Sequence, residues 1–76
     1  MPRRKKIRLD INGIGERIRE LRGAILQEEL AAQLGISQGQ LSKIERGKMP
    51  PTIETLVRLS HRFAKSLDWI VRGSVS

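Results

Sequence analysis

The 76-residue chain has no cysteine and no tyrosine, and only one histidine, one tryptophan and one phenylalanine. Without cysteine there are neither disulfides nor thiolate metal ligands, which fits a reducing compartment, and the single His61 excludes a histidine-rich metal site. So few aromatic rings count against base stacking as the main way of holding single-stranded nucleic acid. No stretch approaches the roughly 20 apolar residues of a membrane span, and no apolar run of signal-peptide length follows the basic start. Catalytic constellations are equally scarce. There is no phosphate-binding glycine loop, and the carboxylates are scattered along polar faces. Glu28 and Glu29 are the only adjacent acidic pair, and neighbouring helical positions point about 100° apart, a poor arrangement for sharing a proton or a metal. The chain is read as a non-enzyme that needs no cofactor, no metal and no small-molecule ligand. Acidic residues are also in the minority. Fifteen Lys and Arg against eight Asp and Glu leave a net charge of +7, which points to a polyanionic partner.

What is present centres on Gln27 to Arg46, QEELAAQLGISQGQLSKIER. Leu30 and Leu34 fall on one helical face, Leu41 and Ile44 on another, with Ile36 between them. Gly35 stands where the first of these helices must stop, because glycine enters the left-handed backbone region without a Cβ penalty. Ser37 restarts the chain as an N-cap, and with Gln40 three residues on it forms the S-x-x-Q version of a capping box. Ala31 is small where the two helices have to come close. These features predict a helix-turn-helix.

The segment LAAQLGISQGQLSKIERGKMPPTIETL, with IRELR before it and SLDWIVRG after it, closely resembles the Cro/repressor-type helix-turn-helix domains of phage repressors and bacterial regulators. The resemblance runs from about Ile14 to Gly73. It implies an all-α fold, a compact five-helix bundle of the lambda-repressor-like type with the helix-turn-helix formed by helices 2 and 3. It further implies a double-stranded DNA partner and a cytoplasmic, bacterial or phage-encoded protein. By position, the family's ion pair between the first helix and the recognition helix corresponds to Arg22 and Glu45. Two departures stand out. Leu26 occupies the place where a capping Ser or Thr is usual, at an expected cost of about 1 kcal/mol, partly offset by Glu28 and Glu29 at the positive end of the helix dipole. Gly39 occupies a position that family members commonly use for base contact.

The domain organisation expected is a basic arm over 1–12, a folded domain over 13–73 and a short tail over 74–76. The arm, MPRRKKIRLD and the two residues after it, has little to contribute to a core and suits phosphates or an adjacent minor groove. The first helix is expected after an Asn12 cap and runs to Arg22, with Ile14, Ile18 and Leu21 on one face and Gly23 at its end. Lys48-Met49-Pro50-Pro51 reads as a loop. Thr52 is expected to cap a fourth helix whose Ile53, Leu56, Val57, Leu59 and Phe63 form a broad apolar stripe, and Ser66 a short fifth helix closed by Gly73. In that last helix Leu67 and Trp69 are expected in the core, while Ile70 and Val71 divide evenly between core burial and a homodimer contact.

With Leu41, Ile44 and Ser37 turned inward, Gln38, Gly39, Gln40, Ser42 and Lys43 face outward and are the expected base-reading residues. A glutamine amide pairs with adenine N6 and N7, and a lysine donates to guanine O6 and N7. Gln27, Ser37, Arg46, Lys48 and Thr52 are the expected phosphate contacts, Gln27 because it lies at a helix N-terminus. Two functions follow from different classes. One is a sequence-specific transcriptional regulator, a repressor acting as a homodimer on a pseudo-palindromic operator. The other is an antitoxin-like or adaptor module that uses the same fold mainly for a protein partner. The basic arm and the polar outward face favour the first.

Overall fold

The computed structural model describes residues 9–73, so most of the expected arm and the tail at 74–76 lie outside the described residues. Those residues form α1 (Ile11–Arg22), α2 (Gln27–Leu34), α3 (Gln38–Glu45), α4 (Ile53–Phe63) and α5 (Leu67–Arg72), with no strand among them. The all-α, five-helix architecture is the one expected, with α2 and α3 as the helix-turn-helix. α1 packs on α3 and α5, α2 on α3 and α4, and α4 on α5.

α1 starts earlier than the Asn12 cap would place it. Asp10 is the N-cap, its Oδ1 accepting the Gly13 N–H at 3.0 Å. Asp and Asn cap about equally well, and the earlier start brings half-buried Ile11 onto the face of Ile14 and Ile18. The α2–α3 turn forms as the residues require. Gly35 is left-handed, at φ 72° and ψ 27°, and the Ile36 N–H reaches back to the Ala31 carbonyl at 3.0 Å. The capping box is complete: the Gln40 N–H donates to Ser37 Oγ at 3.1 Å, and the Ser37 N–H donates to Gln40 Oε1 at 2.9 Å. Thr52 and Ser66 cap α4 and α5 through their side-chain oxygens.

One core joins all five helices. It contains Ile14 and Ile18 of α1, Leu30, Ala31 and Leu34 of α2, Leu41 and Ile44 of α3, Leu56 and Leu59 of α4, and Ile70 of α5. α1 comes close to α3 at Gly15, where a Cβ would run into the Ile44 carbonyl oxygen and lie only 2.6 Å from that of Glu45. The end of α5 is fastened by a residue that periodicity does not single out. Arg17 of α1 donates from Nε to the Ile70 carbonyl at 2.8 Å and from Nη2 to the Val71 carbonyl at 2.9 Å, satisfying two acceptors that a helix C-terminus leaves open.

The last two helices decide the alternative left open for Ile70 and Val71 and correct the expectations for Leu67, Ile53 and Val57. Ile70 is fully buried, so it is core and not a surface contact, and Val71 is half-buried against the same core. Leu67 is exposed and Trp69 only partly covered, with the Lys65 ammonium 4.8 Å from the indole centroid. In α4 the apolar stripe is wider than the surface available to cover it. At about 100° per residue, Leu56, Leu59 and Phe63 span one arc, whereas Ile53 and Val57 sit together beyond its edge. Those two side chains are 75% and 46% exposed.

Two local terms leave stability unclaimed. Leu26 makes no side-chain capping bond to α2, and Ala64 holds the left-handed conformation at φ 54° that closes α4. Leu26→Thr and Ala64→Gly should therefore each raise the unfolding free energy by about 1 kcal/mol, the first by capping and the second by relieving Cβ strain. Urea unfolding followed by circular dichroism measures both, and an unchanged midpoint would remove the corresponding local explanation.

Candidate nucleic-acid interface

The first turn of α3 projects from the body because its apolar residues all lie on the opposite side. Leu41 and Ile44 are buried, while Gln38, Gly39, Gln40 and Lys43 are exposed and Ser42 is half-buried. The five residues expected to read bases thus form one continuous face, at the end of the helix that Ser37 and Gln40 hold in shape. The oxygen of the Gln40 side chain is engaged by the cap, leaving its amide hydrogens free to point outward.

Behind that face runs a chain of polar contacts. Glu45 is almost completely buried, and its carboxylate accepts Arg22 Nε at 2.7 Å and Arg22 Nη2 at 3.0 Å. This is the expected ion pair, in the bidentate geometry that matches a planar guanidinium to a carboxylate. The hydrogen bonds that Arg22 donates to Glu45 hold its pKa above the usual guanidinium value, burial opposing them. Arg22 Nη1 also donates to the Ile25 carbonyl at 2.8 Å, tying the short α1–α2 link to the same point. Gln27 Nε2 donates to Glu45 Oε1 at 2.9 Å, and Gln38 Nε2 reaches Gln27 Oε1 at 3.5 Å. The Gln27 side chain therefore links Glu45 to the first residue of α3.

These residues wall an open depression of about 380 Å³, lined by Arg19, Arg22, Gln27, Ser42, Glu45 and Arg46. Arg46 folds back along α3, its Nε donating to the Ser42 carbonyl at 3.3 Å. Lys48 stands exposed in the loop after α3, whose backbone is anchored by its own N–H on the Lys43 carbonyl at 2.8 Å. Among the described residues, none of Arg19, Lys43, Arg46 and Lys48 joins an ion pair. Two of the expected phosphate contacts also serve as helix caps. Ser37 Oγ and Thr52 Oγ1 both accept first-turn N–H groups, and Thr52 Oγ1 also donates to Thr55 Oγ1 at 3.1 Å. Sequence reasoning missed Arg19, although its spacing of three from Arg22 places both on one side of α1. No group of three acidic or histidine side chains among the described residues could hold a metal, and no helix there is long and apolar enough to cross a membrane.

Comparison with known proteins matches residues 16–70 to the family described as Helix-turn-helix. The chain belongs to the Cro/repressor-type helix-turn-helix family. It is 34% identical over 62 residues to the SPbeta prophage-derived HTH-type transcriptional regulator YonR of Bacillus subtilis (strain 168), an alignment that covers 79% of the chain and 57% of that relative's length. The fold is similar to that of the P22 c2 repressor solved in complex with a synthetic operator, at a TM-score of 0.75 and 35% identity, covering 80% of this chain and 96% of that one. It is also similar to the restriction-modification controller protein C.AhdI of Aeromonas hydrophila, at a TM-score of 0.70 and 25% identity, covering 80% and 91% of the two chains.

The buried pair sets a clear mutational expectation. Arg22→Ala should destabilise the fold by about 3 kcal/mol, because it strands a buried carboxylate. Glu45→Ala should cost a similar amount, and the double substitution distinctly less than the sum. A double-mutant cycle in urea measures the coupling. Additive losses would mean that the two side chains act independently.

Proposed function

We propose that the protein is a sequence-specific regulator of transcription that binds double-stranded DNA, acts as a repressor, and places the first turn of α3 in the major groove. The observation that carries this reading is the exposed polar turn itself, Gln38 to Lys43, built on a helix whose apolar residues are all turned inward. Gln38 and the free amide hydrogens of Gln40 suit adenine edges and thymine or guanine oxygens, and Lys43 suits guanine O6 and N7. Around them, Arg19, Arg46 and Lys48 supply positive charge for phosphates, together with the main chain at the start of α2 and of α4. Gln27 contributes chiefly by orienting Gln38. The P22 c2 repressor, whose solved complex contains a synthetic operator, supports the same assignment.

A single short helix reads too few base pairs for useful discrimination, and two copies on a pseudo-palindrome double the reading. The face that fits a second copy is the uncovered flank of α4, Ile53 with Val57, since Ile70 is enclosed. This replaces the contact near Ile70 and Val71 suggested by the sequence. With a cytoplasmic DNA target, regulation follows protein concentration and operator occupancy. An adaptor that binds a protein partner would use the same α4 flank but would not need the polar turn of α3.

Selection from random duplex DNA tests the reading. A palindromic motif should emerge, and Gln38→Ala and Lys43→Ala should relax it at defined positions, each at a cost of about 1–3 kcal/mol. Arg46→Ala should instead weaken all sequences alike and flatten the salt dependence by about one unit of slope. Absence of any motif would overturn the regulator reading. For the dimer, Val57→Glu should leave the circular dichroism spectrum intact but shift sedimentation and DNA binding to a monomer. Unaltered sedimentation would exclude the α4 flank.

A further inference from the structure

The chain has seven glycines, and the fold accounts for six of them. Gly23, Gly35, Gly47 and Gly73 adopt positive φ. Gly13 and Gly15 are hemmed in, by the Asp10 carboxylate and by the α3 backbone respectively. Gly39 is different. It lies in the first turn of α3 with no positive φ, and a Cβ built on it would meet nothing closer than Ser37 Oγ at 3.9 Å, an ordinary van der Waals separation. Glycine is costly in a helix because of the backbone freedom it surrenders. Nothing inside the molecule requires that cost.

The position faces outward at the tip of the face described above. The Ser37 hydroxyl satisfies the Gln40 N–H and the Gln40 side chain satisfies the Ser37 N–H, and among the described residues no acceptor takes the Gly39 N–H. What Gly39 presents is therefore a backbone donor beside bare Cα hydrogens, with no side chain in front of them. In the major groove one base displays the complementary pair: thymine carries an O4 acceptor next to a C5-methyl group. Guanine offers acceptors without a methyl, and adenine and cytosine place an amino donor there.

Resting on the regulator reading, we propose that Gly39 determines specificity by its missing side chain, letting the α3 backbone close on a thymine so that the Gly39 N–H donates to O4 and its Cα packs on the methyl. The residue is selected for the DNA partner at the expense of the helix. A side chain of even one carbon separates the two surfaces and opens the position to other bases.

The experiment compares wild type and Gly39→Ala in thermal unfolding, in random-duplex selection, and in binding to the selected duplex with one thymine per half-site replaced by deoxyuridine. Gly39→Ala should melt about 2–6 °C higher, bind the wild-type motif at least tenfold more weakly, and lose a thymine preference at one position of each half-site. Deoxyuridine at that position should weaken the wild type several-fold and leave Gly39→Ala unaffected. An unchanged motif and affinity for the variant, or a uniform loss over all sequences with the motif retained, would overturn the proposal while the regulator reading stands. A wild type that selects no motif removes that reading, and this inference with it.

Discussion

The arrangement of the whole face depends on one buried carboxylate. Glu45 sits at the end of α3 with three donors converging on it, two from Arg22 and one from Gln27. Taking a carboxylate out of water is expensive, and only multiple well-aligned hydrogen bonds offset the loss. Because these donors come from α1 and from the start of α2, satisfying Glu45 fixes α3 relative to both. Arg22 also holds the Ile25 carbonyl, so the short link between α1 and α2 is pinned at the same place. The pair adds little net stability compared with an apolar substitute, but it defines which relative placement of three helices is acceptable. From Gln27 the constraint continues to Gln38, the first residue of the outward turn.

Packing supports this from the other side. Gly15 lets the α1 backbone approach that of α3 closely, bringing Ile14 and Ile18 against Leu41 and Ile44 in one core. Arg17 then extends α1's reach to the opposite end of the molecule, where it holds the last carbonyls of α5. α1 is thus the shared support of the outward turn and of the closing helix. Ile70 is enclosed by that closure, so the paired apolar flank left uncovered is that of Ile53 and Val57 on α4, with Leu67 of α5 exposed separately.

Much of this was legible in the chain. The left-handed glycine at Gly35, the Ser37–Gln40 box, the Thr52 and Ser66 caps and the missing cap at Leu26 depend on neighbours in sequence, and local spacing reveals them. The Arg22–Glu45 pair came from family resemblance, since nothing local connects residues 23 positions apart. The start of α1 was misplaced because Asp10 and Asn12 are equivalent as caps, and only tertiary packing of Ile11 distinguishes them. Which of the apolar residues of α4 and α5 would be covered also escaped the sequence. Periodicity marks an apolar arc, but how much of it is covered depends on the width of the neighbouring helices. Arg17 was invisible for a related reason: its partners are main-chain carbonyls, which leave no pattern in the sequence.

The capping box has a consequence for how such a chain changes over generations. Ser37 and Gln40 keep each other's backbone groups satisfied, so a substitution at either one is paid in helix stability before any new target is gained. Gln38, Gly39, Ser42 and Lys43 carry no such double duty to the cap. Drift toward a different target is thereby channelled into a few positions, and a descendant with altered preference should be recognisable by an intact Ser37–Gln40 pair surrounded by changed neighbours.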